Sequence, residues 1–180
     1  MTAAQADLQP QFLEMPEGLR IDSPRVADGA TLWRIARDAG SLDVNSSYSY
    51  LLWCRDFAGT SVVARGPEGA PVGFVTGYLR PEQPTTLLVW QVAVDQRYRG
   101  RGLAAALLDG LLAKVSAERD VTGLETTITP GNTASERLFR SFASRHSAPL
   151  ERKVLFPAGV FPEGAEHDPE VLYRIGPFDS

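Results

Sequence analysis

The stretch VWQVAVDQRYRGRGLAAALL, Val89 to Leu108, decides how this 180-residue chain folds. It closes an apolar run that begins at Thr85, and such near-continuous hydrophobicity is expected of a central strand covered on both faces. The strand ends at Asp95. The loop Arg97-Tyr98-Arg99-Gly100-Arg101-Gly102 then leads into a helix on which Leu103, Leu107, Leu111 and Val115 recur every four residues. Strand, glycine loop and helix start together make an anion site. Glycines let the backbone come close, unpaired N–H groups point outward, and the helix dipole adds positive potential. Arg97, Arg99 and Arg101 reinforce it in a chain of net charge −4. A pyrophosphate is the natural guest.

Outward from this centre the pattern is mixed α/β. Toward the N-terminus, Asp28 can cap a helix with the apolar stripe Leu32, Ile35, Ala36 and Ala39, and Gly40 suits its end. Tyr50 to Phe57 reads as a second short helix or a covered apolar turn. Thr60 to Arg65 and Val72 to Leu79 read as strands joined by the turn Gly66-Pro67-Glu68-Gly69. Toward the C-terminus, Leu124 to Thr129 is a strand stopped by Pro130-Gly131. A helix follows from Asn132 with Ala134, Leu138, Phe139 and Phe142 inward, and Val154 to Phe156 and Val171 to Ile175 close the domain. Residues 1–20 are polar and aperiodic, a flexible arm ahead of one domain over 21–180.

Composition narrows the function. With 43% apolar and 22% charged residues the chain can bury a real core. Its net acidity argues against a broad nucleic-acid surface. The longest unbroken apolar stretch, Leu103 to Leu108, is far short of the ~20 residues that cross a bilayer. No apolar signal segment stands near the start, so a soluble, cytoplasmic protein with no membrane partner is expected. One cysteine, Cys54, and two histidines, His146 and His167, build neither an intrachain disulfide nor a usual zinc site, so no metal is expected.

Two families use such a loop. Gly100-Arg101-Gly102-Leu103-Ala104-Ala105 satisfies a dinucleotide fingerprint with Ala in third place. That fingerprint follows the first strand of a large parallel domain, for which too little chain remains here. The segment instead closely resembles the acetyl-CoA motif of the Gcn5-related N-acetyltransferases, matched by Arg97, Gly100 and Gly102 after a central strand. Asn132 and Leu138-Phe139 match a second element of that family. The resemblance implies a single-domain α/β fold of the acetyltransferase type: a central, mostly antiparallel sheet, splayed at the acetyl-CoA site and flanked by helices. It further implies that pantetheine runs along the backbone of Gln91, Val92 and Val94, with the Val92 N–H stabilising the oxyanion of transfer. The amides of Arg99, Gly100, Arg101, Gly102, Leu103 and Ala104 would hold the pyrophosphate. Asn132 would bond the pantetheine arm, cap its helix, or both. Many family members have Tyr where this chain has Phe139, so the usual acid for the leaving thiolate is replaced.

The segment Asp43-Val44-Asn45-Ser46-Ser47-Tyr48, followed by Tyr50-Leu51-Leu52-Trp53-Cys54, is similar to the diaminobutyrate acetyltransferases of ectoine biosynthesis. GLETTITPGN and the Phe/Pro-rich C-terminal segment look similar too. That resemblance implies acetyl transfer to the γ-amine of L-2,4-diaminobutyrate by direct attack, in a homodimer. A cationic diamino acid calls for carboxylates, an aromatic wall and donors for its own carboxylate. Asp43, Tyr48, Trp90, Glu125, His167 and Glu170 are the candidates, with Asp43 and Glu170 as the carboxylate pair. All but Tyr48 also have a plainer reading: a turn cap for Asp43, core for Trp90, solvent for Glu125, His167 and Glu170. Tyr50, Trp53 and Cys54 read as packing, and His146 and Trp33 carry no argument. Two alternatives stay open: transfer to another small amine, and a non-catalytic acetyl-CoA-binding regulatory domain.

Overall fold

The computed structural model describes residues 12–40, 44–164 and 166–178. Among these, the strands are β1 (Arg20–Asp22), β2 (Val62–Arg65), β3 (Pro71–Arg80), β4 (Gln83–Val94), β5 (Gly123–Ile128), β6 (Leu150–Phe156) and β7 (Glu170–Ile175). The helices are α1 (Gly29–Ala39), α2 (Ser47–Asp56), α3 (Leu103–Ser116) and α4 (Thr133–Arg145). One seven-stranded sheet runs β1-β2-β3-β4-β5-β7-β6. Every pairing is antiparallel except β4 with β5.

The periodic apolar positions do what their spacing predicts. Leu103, Leu107, Leu111 and Val115 of α3 and Phe139 and Phe142 of α4 pack on one sheet face, against Val62, Val75, Leu87, Val89, Leu124 and Ile128. Leu32, Ile35 and Ala36 of α1 and Tyr50 and Cys54 of α2 cover the other face at Val63, Phe74 and Ala93. Leu107 is fully buried, and truncating such a side chain to Ala costs about 3 kcal/mol.

The side-chain alternation of β4 breaks at one place. Leu87 and Val89 face α3, yet Ala93, of the same parity, faces α1. The register explains the switch: Gln91 pairs with Thr76 and Val89 with Gly77, so Trp90 is an extra, bulged residue. A Cβ on Gly77 would sit 2.6 Å from the Leu88 carbonyl oxygen, so the strand opposite the bulge has room only for glycine. The central strand is therefore not covered throughout, since Trp90 is 49% exposed.

Other expectations are corrected locally. Asp28 does not cap α1 with its side chain. It is buried and accepts from Arg65 Nη1 and Nη2 at 3.0 and 2.8 Å, and from the Arg25 N–H at 2.7 Å. Strand β1 was not anticipated, and β6 begins four residues before the expected Val154. Of the expected arm over 1–20, residues 1–11 lie outside the described residues, while Met15 and Leu19 pack on the core. Leu13 N–H donates to Asp109 Oδ2 at 2.9 Å, and the Phe12 ring meets His146 edge-on at 5.2 Å.

Candidate functional site

Strands β4 and β5 are paired only from Thr86↔Gly123 to Leu88↔Glu125. Beyond that, the Thr126 hydroxyl bridges to the Val89 carbonyl at 3.1 Å, and the strands part. Asp95 N–H donates to Val72 O, which fixes the phase of the β3–β4 ladder. In an antiparallel pair, bonded residues alternate, so Ala93 and Gln91 direct their peptide groups at β3. Val92 and Val94 therefore turn theirs to the other edge, into the gap. This is an open strand edge of the kind an extended amide-bearing chain can extend.

The loop after β4 is built around Asp95. Its carboxylate caps the turn 96–98 by accepting the Arg97 N–H at 3.1 Å, and it also holds the Arg97 guanidinium. Arg34 Nη1 lies 3.5 Å from the same carboxylate. Hydrogen bonding from Arg97, against the opposing effect of burial, holds the Asp95 carboxyl at about 2. Arg97 is thus committed to shaping the loop. Arg99 and Arg101 are exposed, with Arg99 Nε 3.3 Å from Val94 O and Arg101 over the Tyr98 ring at 5.3 Å. Gly100 and Gly102 both have φ of +73°, the left-handed region that glycine enters freely. A Cβ at either would meet no heavy atom of the chain within 4 Å, so backbone conformation sets the requirement for glycine here. The first bond inside α3 is Ala106 N–H to Gly102 O at 3.0 Å. The N–H groups of Leu103, Ala104 and Ala105 precede it and lack acceptors in their own helix. The chemistry is that of a phosphate cradle.

At the start of α4, Asn132 Oδ1 accepts the Ser135 N–H at 3.1 Å, so its capping role is realised. Phe139 is buried in the core and presents no hydroxyl.

The residues expected on the acceptor side lie on α2, at the bulge and in the loop before β7. Asp43 lies outside the described residues. Tyr48 is 64% exposed on the first turn of α2. The Trp90 ring is 5.7 Å from that of Trp53, which also packs on Phe57 at 4.6 Å and Tyr78 at 6.3 Å. Trp53 packs, as expected, and its neighbours Phe57 and Tyr78 and the half-exposed Trp90 form with it one aromatic cluster. His167 stacks on Phe161 at 3.8 Å, and its Nδ1 is 2.6 Å from Asp168 O. Glu170 is half-buried and opens β7 next to the Ile128↔Val171 pair, the end of β5 where β4 has diverged.

Glu125 sits elsewhere. It is buried and bonded to Arg174 Nε at 2.9 Å and Arg80 Nη1 at 3.1 Å. It stands at the last paired position of β4 and β5, Leu88↔Glu125, and is buried, not solvated. Cys54 is buried too, and burial pushes its thiol up to about 11. Among the described residues no three His, Cys, Asp or Glu side chains gather as a metal site. No described helix is long and apolar enough to cross a membrane.

A strand-loop-helix phosphate cradle beside a splayed β4–β5 pair is the acetyl-CoA frame that the sequence led us to expect. The sequence pattern of the Acetyltransferase (GNAT) family matches residues 30–143. The chain belongs to the GNAT acetyltransferase family. It is 74% identical over 177 residues to the L-2,4-diaminobutyric acid acetyltransferase of Streptomyces avermitilis, covering 98% of both chains. It is 43% identical over 162 residues to the one of Halomonas elongata, covering 90% of this chain and 83% of that one. Among solved structures it is similar to the diaminobutyrate acetyltransferase of Paenibacillus lautus in complex with L-2,4-diaminobutyric acid and coenzyme A. That likeness has a TM-score of 0.84 at 41% identity and covers 90% of this chain and 96% of the other. The Ard1 protein of Thermoplasma volcanium, at TM-score 0.72 and 18% identity, shares the fold.

Proposed function

We propose that this GNAT enzyme transfers the acetyl group of acetyl-CoA to the γ-amine of L-2,4-diaminobutyrate, a step of ectoine biosynthesis. The observation that carries this reading is the likeness, at 41% identity, to a structure holding that diamino acid and coenzyme A. Identity of 74% to a relative of the same activity supports it.

Acetyl-CoA fits the residues present: an open β4 edge for its amide-bearing arm, and a glycine-lined helix start for its pyrophosphate. When bound it supplies an activated thioester. The Val92 N–H, directed into the gap, stabilises the negative charge that develops on the acetyl oxygen. Val94 extends the same strand edge, whereas Gln91 turns its peptide group to β3 and so offers the arm no backbone bond, contrary to the expectation from the resemblance. Arg99, Gly100, Arg101, Gly102, Leu103 and Ala104 hold the phosphates, and Asn132 offers its amide N–H group while its oxygen caps α4. Phe139 donates no proton, so the thiolate leaves unassisted or through water.

On the acceptor side, the γ-ammonium must lose a proton before it has a lone pair to attack with. We assign that proton and the α-ammonium to the carboxylates of Asp43 and Glu170, one nitrogen each. Tyr48 and His167 donate to the substrate carboxylate, and the Trp90 ring packs on the methylenes. Glu125, bound to two arginines, has no part in this assignment. The working unit is proposed to be a cytoplasmic homodimer.

The test is a kcat/KM panel of diaminobutyrate, ornithine, lysine and putrescine, run beside Asp43→Asn and Glu170→Gln. The diamino acid should lead the panel. Each variant should bind acetyl-CoA normally and lose about 2–4 kcal/mol of transition-state binding, or roughly 30- to 1,000-fold in kcat/KM. Retention within about threefold in both variants, under ~0.7 kcal/mol, would contradict the carboxylate assignment.

A further inference from the structure

Tyr50 does more than fill space in the α1–α2 layer. Its ring is 1% exposed and edge-on to Phe74 at 6.3 Å. Its hydroxyl donates to Gln91 Oε1 across 2.9 Å, in a buried bond between residues 41 apart in sequence. The backbone and side-chain amides of Asn45 interact with the same phenol oxygen.

The two partners belong to different parts of the proposed site, one on the central strand and one on the segment before α2. Gln91 is the residue after the bulged Trp90 and immediately before Val92, whose N–H faces the gap. Asn45 belongs to the segment that leads into α2 and ends at the exposed Tyr48. One phenol oxygen thus links the wall that receives the amine to the strand that receives the thioester. Buried polar links of this kind specify geometry, because each group is costly to leave unpaired in a low-dielectric interior.

We propose that Tyr50 is a positioning residue for the amine substrate: its hydroxyl sets the Asn45–Tyr48 segment against the bulged strand at Gln91. It touches neither substrate. Its effect is on where the acceptor wall stands relative to Trp90 and Val92, and a wall that must be ordered when the amine binds lowers affinity for it. The inference rests on the proposed acetylation of diaminobutyrate.

Tyr50→Phe keeps the ring and removes only the link. It should raise KM for diaminobutyrate by about 5- to 30-fold, lower kcat less than about threefold, and leave KM for acetyl-CoA within about twofold. Gln91→Met should raise the same KM, and the double variant should rise no further than the larger single change, since both cut one contact. A purely structural role would lower melting temperature in all three and leave KM at 25 °C unmoved; that result, or strictly multiplicative effects, would overturn the inference. A parent enzyme that fails to turn over diaminobutyrate would instead contradict the proposed function. The two failures are therefore read from different proteins.

Discussion

Arg97 turns back onto Asp95: its Nε and Nη2 stand 3.1 and 3.0 Å from the carboxylate that also caps the turn by accepting the Arg97 N–H. The motif arginine thus acts through the loop it shapes. Asp95 titrates at about 2 in the folded chain against an ordinary 3.8. A depressed carboxylate contributes stability that is present above the ordinary value and lost as pH falls toward the folded one. The upper bound is about 2 kcal/mol, reduced toward about 1 by water around the exposed Arg97. Asp95→Asn should therefore unfold at lower urea than the parent at pH 6. The gap should narrow between pH 4 and pH 2.5, measured by urea titration at each pH. A gap that widens on acidification would contradict this.

Gly102 stands at φ +73° with open space where a Cβ would project. A β-branched residue there pays about 1–3 kcal/mol of backbone strain, or the loop relaxes away from its shape. Gly102→Val should lower the melting temperature of the unliganded protein by a few degrees and abolish the rise produced by acetyl-CoA. A full rise in the variant would remove the loop from the binding account.

Cys54 carries a protonated thiol at neutral pH, because burial raises it to about 11. A thiol of that kind is a poor nucleophile. The folded protein should resist iodoacetamide at pH 8, and Cys54→Ala should keep kcat/KM within about threefold. Acetyl label trapped on the chain in the absence of amine would show that transfer passes through an acyl-enzyme after all.

Glu125 joins Arg80 and Arg174 across β3, β5 and β7. Glu125→Gln leaves both guanidinium groups with a neutral partner and should cost about 1–3 kcal/mol of stability. Kinetics at 25 °C should stay near those of the parent. A large rise in KM for the amine at unchanged melting temperature would place Glu125 in the substrate site.

What the sequence makes legible is local. The β4–loop–α3 segment, the α3 stripe and the Asn132 cap are set by neighbours a few residues away, and they stand as expected. The bulge at Trp90 is invisible to an alternation pattern, because it exists only in the register with β3. Likewise the parity of Glu125 marks its face, but its arginine partners lie 45 and 49 residues away. Strand β6 is mostly exposed and carries Glu151-Arg152-Lys153 in its first half, so its polar part reads as loop. Tyr50 looks like core because its ring is core. Its hydroxyl partner, 41 residues on, is what gives it a further role.

The central claim is that the γ-nitrogen of diaminobutyrate takes the acetyl group. Its most direct test is the two-dimensional ¹H–¹³C NMR spectrum of the product made from diaminobutyrate and [1-¹³C]acetyl-CoA. The account predicts one product, with the labelled carbonyl correlated to the protons on Cγ. A correlation to the Cα proton, or label that stays on coenzyme A, would contradict it.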